Sequence, residues 1–475
     1  MRLPDLSDTL RGPLLACLIL ACAGGQTALA DALVVEAESG ELHGGAVKST
    51  ETPGFSGAGY VGGFAKAGDA VDIPVDVPEA GFYTLRVRYL APDPKMNPVL
   101  VNGAIQRNGF YPRTEGFQWM TVGRVPLRKG GNTVTLGTDW GYLLADAIEI
   151  SPAPAPAPFQ LAEHPVNPEA SPEARALYSR LRATFGRFVL AGQQDEKGQR
   201  RAFLASLSPE FVPVVVGFDL LRSSSAYGRP DGQIERARDW ALKEGGIVSF
   251  SWHWFSPFGA LNEVWRSYST NQTTFDASKV MDEKSPEYQA MIKDMDAIAD
   301  QLKVLRDARV PVLWRPLHEA EGGWFWWGAR GPEVCKRIYR LMYERFTKVH
   351  HLDNLLWVWT STDAPDAREW YPGDDCVDIV GADLYAPAGV RGTYLAVFDN
   401  LRRIYQGRKM IALAEVGAIP DPDALVAEDA GWLWFLVWDD YITRADTNPA
   451  DLIRKTYTHP RVLRLDAYTK GPQEN

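Results

Sequence analysis

Residues 151–158 read SPAPAPAP. Proline at every second position removes backbone donors and favours extended polyproline structure, so the stretch reads as a semi-rigid spacer. The apolar residues are patterned differently on its two sides, which divides the chain into two folded parts. The length of 475 residues agrees, because a single hydrophobic core stops growing at roughly 250–300 residues.

Ahead of the spacer the runs are short and alternate. In Thr84-Leu85-Arg86-Val87-Arg88-Tyr89 the apolar side chains fall on one face and the polar ones on the other, the pattern of a half-buried antiparallel strand. Asn102-Gly103 between Val99-Leu100-Val101 and Ala104-Ile105 is a hairpin signal, and Gly130-Gly131-Asn132 marks a further turn before Thr133-Val134-Thr135-Leu136. Residues 31–150 are therefore expected to form a β-sandwich of jelly-roll type. Gly57 to Gly62 matches G-x-G-x-x-G, but no apolar strand leads in and no helix follows, so it reads as a glycine-rich loop rather than a nucleotide site.

After a linker over residues 151–170, apolar runs alternate with helical segments, which calls for a parallel sheet covered by helices. Eight candidate strands follow: Phe188 to Gln193, Val212 to Asp219, Ile247 to His253, Val310 to His318, Leu355 to Thr360, Val377 to Leu384, Met410 to Val416 and Trp434 to Trp438. Helices are expected over Pro286 to Leu305 and Glu333 to His350. Eight strands in about 300 residues predict a TIM (β/α)8 barrel over residues 171–475.

A formal charge of -10 with no long Lys/Arg run disfavours nucleic acid or an anionic membrane surface as partner. A neutral substrate fits better. Arg2 and Arg11 flank a short apolar run, Pro13 to Ala23, and Ala28-Leu29-Ala30 is an A-x-A cleavage site, so residues 1–30 read as an export signal and the protein as secreted or periplasmic. Ile19-Leu20-Ala21-Cys22 loosely matches a lipoprotein signal, which leaves anchoring through Cys22 as the alternative. No later stretch has the ~20 apolar residues of a membrane span. Cys335 and Cys376 alone remain beyond the signal; they could pair or stay free and buried. A monomer is assumed.

A barrel enzyme carries its reactive groups where strands end. Two glutamates stand there: Glu319 closes VPVLWRPLHE, and Glu415 lies in IALAEVG, three strands later. Ending an apolar strand in a carboxylate is costly unless it is paired, hydrogen-bonded or neutralised, so function is a common reason for it. His318-Glu319 opens like a zinc-protease motif, but Gly322 occupies the second histidine position. Trp252 and Trp254 flank His253, Trp324 to Trp327 follow Glu319, and Trp438 closes the last strand; aromatic faces of this kind stack on sugar rings. About half of the sixteen tryptophans are expected in the core, with Trp324 and Trp438 preferred as platforms. Paired carboxylates beside aromatics suggest glycoside hydrolysis, with Arg315, His318 and Tyr385 as hydrogen-bonding supports.

WRPLHEAEGGWFWWG (Trp314 to Gly328) and ALAEVG (Ala412 to Gly417) resemble the signature regions of glycoside hydrolase family 26, chiefly endo-β-1,4-mannanases. VLAGQQ (Val189 to Gln194), VVGFD (Val215 to Asp219), SFSWHW (Ser249 to Trp254) and VGADLYA (Val380 to Ala386) extend the likeness over residues 171–470. The resemblance implies a retaining hydrolase with Glu319 as acid/base and Glu415 as nucleophile. It also implies that His318 supports Glu319, that Tyr385 bonds Glu415, that His253, Trp324 and Trp438 line sugar subsites, and that no metal or other cofactor joins the chemistry. Asp439-Asp440 stands where some mannanases carry a base, and mixed-linkage β-glucan or xylan remains an alternative to mannan. A non-catalytic polysaccharide-binding protein would use the same aromatics without the paired glutamates.

The first part resembles carbohydrate-binding module family 35 in VVEAESGELHGG (Val34 to Gly45), GFYTLRVRYLAP (Gly81 to Pro92) and ADAIEIS (Ala145 to Ser151). That resemblance implies a structural calcium held with the help of Glu36, Glu38 and Asp146, whose hard oxygens suit it. Trp140 is the expected sugar platform and Tyr60 a weaker one, while Trp119, in an alternating strand, is expected in the core.

Overall fold

The computed structural model describes residues 32–139 and 141–471. The export signal over residues 1–30, Cys22 within it, and the platform expected at Trp140 lie outside the described residues.

The first part is a sandwich of two antiparallel sheets. One sheet holds Leu33–Glu36, Val47–Ser49, Tyr60–Gly62, Gly81–Leu90, Gln118–Leu127 and Leu144–Pro152; the other holds Glu41–His43, Ala70–Val77, Lys95–Val101, Ala104–Tyr111 and Gly130–Gly137. Tyr83, Leu85, Val87 and Tyr89 point inward from Gly81–Leu90 and meet Val71, Ile73, Val75 and Val77 of the facing sheet in one core, as a period of two dictates. Asn102 and Gly103 both have positive φ, 50° and 80°, and join two paired strands. That mirror-image turn matches the strand twist. The turn expected near Gly130 is not a hairpin, since Gln118–Leu127 and Gly130–Gly137 belong to different sheets. Gly57 to Gly62 is a loop running into the strand Tyr60–Gly62, with the Ala58 N–H donating to Glu38 Oε1 at 2.7 Å.

The second part is a closed parallel barrel whose strands are numbered here β1 (Val189–Gln194), β2 (Val215–Asp219), β3 (Ile247–Ser251), β4 (Val312–Arg315), β5 (Leu355–Thr360), β6 (Ile379–Leu384), β7 (Met410–Val416) and β8 (Trp434–Val437). β1 pairs with both β2 and β8, which closes the ring. All eight expected strands are present, several of them shorter. Pro213 precedes β2, and Pro311 and Pro316 bracket β4; proline cannot donate to a ladder, so the apolar run outlasts the pairing. The helix Pro286–Asp307 begins at Ser285, whose Oγ accepts from Tyr288 N at 3.0 Å. The other expected helix is Pro332–Glu344 continued by a wider turn, Arg345–Val349.

More tryptophan is core than expected. Trp252, Trp254, Trp314, Trp326, Trp327, Trp357, Trp359, Trp432 and Trp434 are all under 2% exposed; all but Trp434 belong to one large apolar cluster that joins strands and helices, where wide aromatic side chains fill the space. Cys335 and Cys376 are free, buried thiols. No helix among the described residues is long and apolar enough to cross a membrane.

The sandwich lies directly against the barrel. Its outer strands Ala104–Tyr111 and Gln118–Leu127 sit at the ends of their sheets, and both contact the helix Leu395–Ile404. An uncovered sheet end would expose unpaired N–H and C=O groups; here the Ile105 N–H donates to the Arg391 carbonyl at 2.9 Å. Arg107 pairs with Asp363 at 2.9 Å, and both side chains are nearly inaccessible. Between Pro152 and Pro172 the chain forms no helix or strand. It is pinned where Gln160 N donates to Gly407 O at 2.8 Å and where the Phe159 ring meets Phe185 at 4.8 Å.

Candidate active site

Parallel strands bring the ends of β4 and β7 to one mouth of the barrel. β4 stops at Arg315 before Pro316, and the chain then turns through Leu317 and Glu319, whose φ values are 53° and 52°. Left-handed backbone at non-glycine residues costs about 1–3 kcal/mol each and collects at functional sites. The turn separates neighbours: the Glu319 carboxylate reaches Trp324, while His318 is 1% exposed.

Glu415 is buried on β7. The register between β6 and β7 slips after Ala382, and Asp383 becomes the direct partner of Glu415. Arg315 fills the space between them. Its Nη1 donates to Asp383 Oδ2 at 2.8 Å and to Thr360 Oγ1 at 3.1 Å, and its Nη2 donates to Glu415 Oε1. Tyr385 OH donates to Glu415 Oε2 at 2.7 Å. Both Glu415 oxygens therefore face donors. Oxygens of Glu319, Asp383 and Glu415 come within 4.8 Å of one another.

One guanidinium cannot balance three buried carboxylates. Burial, followed by the charge of Glu415, pushes Glu319 up to about 7, against the opposing Trp324 hydrogen bond and the Arg315 charge. Burial also raises Asp383 well above the usual carboxylate range, with Glu415 adding to it and Arg315 opposing. Tyr385 is raised by burial and then by Glu415, which keeps it a donor.

A second chain of polar groups lies alongside. Asp219, at the end of β2, meets His253 Nδ1 at 2.5 Å, and His253 Nε2 faces His318 Nε2 at 3.2 Å. Burial, the largest single influence, lowers His253, but the charge and hydrogen bond of Asp219 and the charge of Glu415 together outweigh it, and the net shift is upward. Burial, with the His253 charge added, holds His318 well below the usual histidine range. The two rings are thus pushed in opposite directions, His253 toward its protonated form and His318 toward its neutral one. The support expected from His318 for Glu319 is replaced by this bond to His253, because the turn at Leu317 sends adjacent side chains in different directions.

The aromatic lining is narrower than the sequence suggests. Trp324 is 39% exposed, and its Nε1 donates to Glu319 Oε2 at 2.9 Å. Trp438 is partly exposed, with its ring 5.8 Å from that of His253. Trp252 and Trp254 stack on each other at 4.0 Å inside the protein and do not face the groove. Asp383 and Asp219, which contact Arg315 and His253, were passed over in the sequence reading, although each stands near the end of an apolar strand, the same signal that singled out the glutamates. Asp439, which follows Trp438, is paired with Arg200, whose Nε lies 2.9 Å from Asp439 Oδ1.

In the sandwich, Ser56 links two of the expected calcium ligands. Its Oγ lies 2.8 Å from Glu36 Oε2 and 3.0 Å from Asp146 Oδ2, so its single hydrogen is shared between the two carboxylates. Asp146 is also paired with Arg88. Tyr60 is 3% exposed and bonded to Thr52, so it cannot serve as a platform. Trp119 is not core either; it is partly exposed beneath the Arg86 guanidinium at 5.1 Å, because its outward register gives it a cation to stack on.

Residues 166–467 match the description of Glycosyl hydrolase family 26, and residues 33–153 match Carbohydrate binding module (family 35). The chain is 40% identical to a mannan endo-1,4-beta-mannosidase of Thermothelomyces thermophilus, over 95% of this chain and 97% of that one. It is 33% identical to mannan endo-1,4-beta-mannosidase B of Piromyces sp, over 91% and 76% of the two chains. Among solved structures, the Podospora anserina GH26-CBM35 beta-(1,4)-mannanase superposes with a TM-score of 0.64 at 38% identity, covering 92% of this chain and 98% of that one.

Proposed function

Since the chain belongs to glycosyl hydrolase family 26 and carries a family 35 carbohydrate binding module ahead of its barrel, we propose that it is a retaining endo-β-1,4-mannanase acting on mannan-type hemicellulose. The observation that supports this mechanism is that one carboxylate oxygen of Glu319 and one of Glu415 lie within 4.8 Å of each other, which places the two groups in one small space. Retaining glycosidases hold their carboxyl groups at about 5–5.5 Å, whereas inverting ones leave roughly 6.5–9.5 Å for a water.

Glu415 is the nucleophile. One of its oxygens bonds to the anomeric carbon while Arg315 and Tyr385 hold the carboxylate in place. Glu319, kept protonated by burial and by the Glu415 charge, gives its proton to the departing glycosidic oxygen. Once Glu415 is esterified its charge is gone, and with it one cause of the raised Glu319 pKa. Glu319 then acts as base on the incoming water, and hydrolysis of the ester restores both groups. His253, Trp324 and Trp438 line the sugar subsites, and His318 backs His253.

Product release from linear mannan, glucomannan, mixed-linkage glucan and xylan tests this reading, with Glu319→Ala and Glu415→Ala alongside. Mannan cleaved to oligosaccharides, with both substitutions abolishing it, is the expected result. Cleavage of glucan or xylan instead would reassign the substrate, and no cleavage by folded protein would defeat the reading.

Calcium in the module fits Glu36 and Glu38 better than Asp146. Glu38 Oε2 is buried with no hydrogen-bond partner, and Glu36 is raised by burial and by the charges of Glu38 and Asp146. A hard cation would relieve both, whereas Asp146 already has Arg88. Bound there, calcium supplies charge balance and no chemistry. Export through residues 1–30 would place the enzyme where polysaccharide is found, and N-terminal sequencing of the mature protein checks it.

A further inference from the structure

We propose that the N-terminal module is part of the catalytic apparatus, with Asn108 as a positioning residue that acts on Glu415 through Tyr385; the proposal rests on the active site assigned above. Asn108 lies on the module strand Ala104–Tyr111. Its Nδ2 donates to the Tyr385 carbonyl at 3.2 Å and to Asp139 Oδ2 at 3.1 Å. An amide nitrogen has two hydrogens, so both bonds can be held together. Tyr385 OH in turn donates to Glu415 Oε2 at 2.7 Å. One residue of the barrel thus takes a bond from the module at its backbone and gives one to the nucleophile at its side chain.

The barrel segment involved depends on that module strand. After β6 ends at Leu384 the chain has no helix or strand until Leu395. The module strand holds the segment at two points: Asn108 at Tyr385, and the Ile105 N–H on the Arg391 carbonyl. Gly392 lies so close to this strand that an added Cβ would stand 2.1 Å from Ile105 O. Loops without regular structure owe their geometry to such contacts.

The surrounding interface is built as interior. Arg107 and Asp363 are 2% and 6% exposed at their side chains. Asn400 Nδ2 donates both to Val122 O at 2.8 Å and to Asp363 Oδ2 at 2.9 Å. Burying an ion pair is costly unless geometry and further hydrogen bonds compensate, as they do here. A module that only tethered the enzyme to polysaccharide would act through local concentration and would need no such contact with a catalytic loop.

The test uses the full chain with Asn108→Ala and Asn108→Asp, the second of which keeps the shape and removes the donor. Turnover is measured on a soluble manno-oligosaccharide, with melting temperature and retention on insoluble mannan alongside. The expected result is a kcat about three- to tenfold lower in both variants, the size of one lost hydrogen bond, with KM, melting temperature and mannan retention unchanged. Unchanged kcat in both variants, or a kcat that falls only as melting temperature falls, overturns the proposal. Failure of the unaltered enzyme to cleave the oligosaccharide would instead count against the mannanase reading.

Discussion

Trp324 holds Glu319 by a hydrogen bond of 2.9 Å from its indole nitrogen, while its ring remains open to the groove. In the proposed mechanism one side chain therefore couples sugar contact to the proton affinity of the acid. That bond opposes the upward shift of Glu319 caused by burial and by Glu415.

Trp324→Phe keeps an aromatic face and removes the donor. Glu319 should then hold its proton to higher pH, so the basic limb of the kcat/KM profile moves upward from near pH 7. Activity below that limb falls about three- to tenfold. A pH profile on a soluble oligosaccharide checks this; a limb that stays in place or moves down contradicts it.

Arg315 supplies the positive charge between Asp383 and Glu415. Replacing it with methionine leaves two buried carboxylates facing each other. Breaking a buried pair in this way costs about 3–5 kcal/mol, so Arg315→Met should unfold at markedly lower denaturant and lose turnover. Arg315→Lys, which keeps the charge without the fork, should fall between. Denaturant midpoints and rates for the three proteins decide the order.

Glu321 follows Glu319 by two residues and accepts bonds from Ser361 and Thr362. Burial, against those bonds, pushes it up to about 7. Its folded pKa exceeds the unfolded value near 4.5, so its contribution to stability is complete below pH 4.5 and is lost as pH rises through about 7. Glu321→Gln cannot titrate. The stability of this variant relative to the unaltered protein should rise between pH 5 and pH 8, as read from melting curves across that range; a constant difference would show that Glu321 does not carry the shift.

Calcium bound at Glu36 and Glu38 would stabilise the module by mass action, about 2.7 kcal/mol at a hundredfold excess over its Kd. Calcium should raise the melting temperature of the unaltered chain, and Glu38→Gln should remove that response. If chelator and calcium give the same melting curve, the site takes no cation and Arg88 alone balances Asp146.

Much of the architecture is legible along the chain because it follows from period and punctuation. Alternation over Thr84 to Tyr89 specifies a sheet with one buried face, Asn102-Gly103 specifies a mirror-image turn, and the eight apolar runs specify a parallel barrel. Glu319 and Glu415 stand out for a related reason, since a carboxylate at the end of an apolar strand has to be accommodated by something specific. The register slip that sets Asp383 beside Glu415 leaves no mark in the order of residues.

The sequence by itself determined the two-part architecture and the paired glutamates, because both rest on local pattern. Tertiary structure alone decided which tryptophans remain open to solvent, since Trp254 and Trp324 look alike in sequence yet one is buried and the other 39% exposed. It also decided that His318 serves His253, that Arg315 is shared between two carboxylates, and that the module reaches Tyr385. These are relations between residues distant in the chain, and burial, charge and hydrogen bonding act across space.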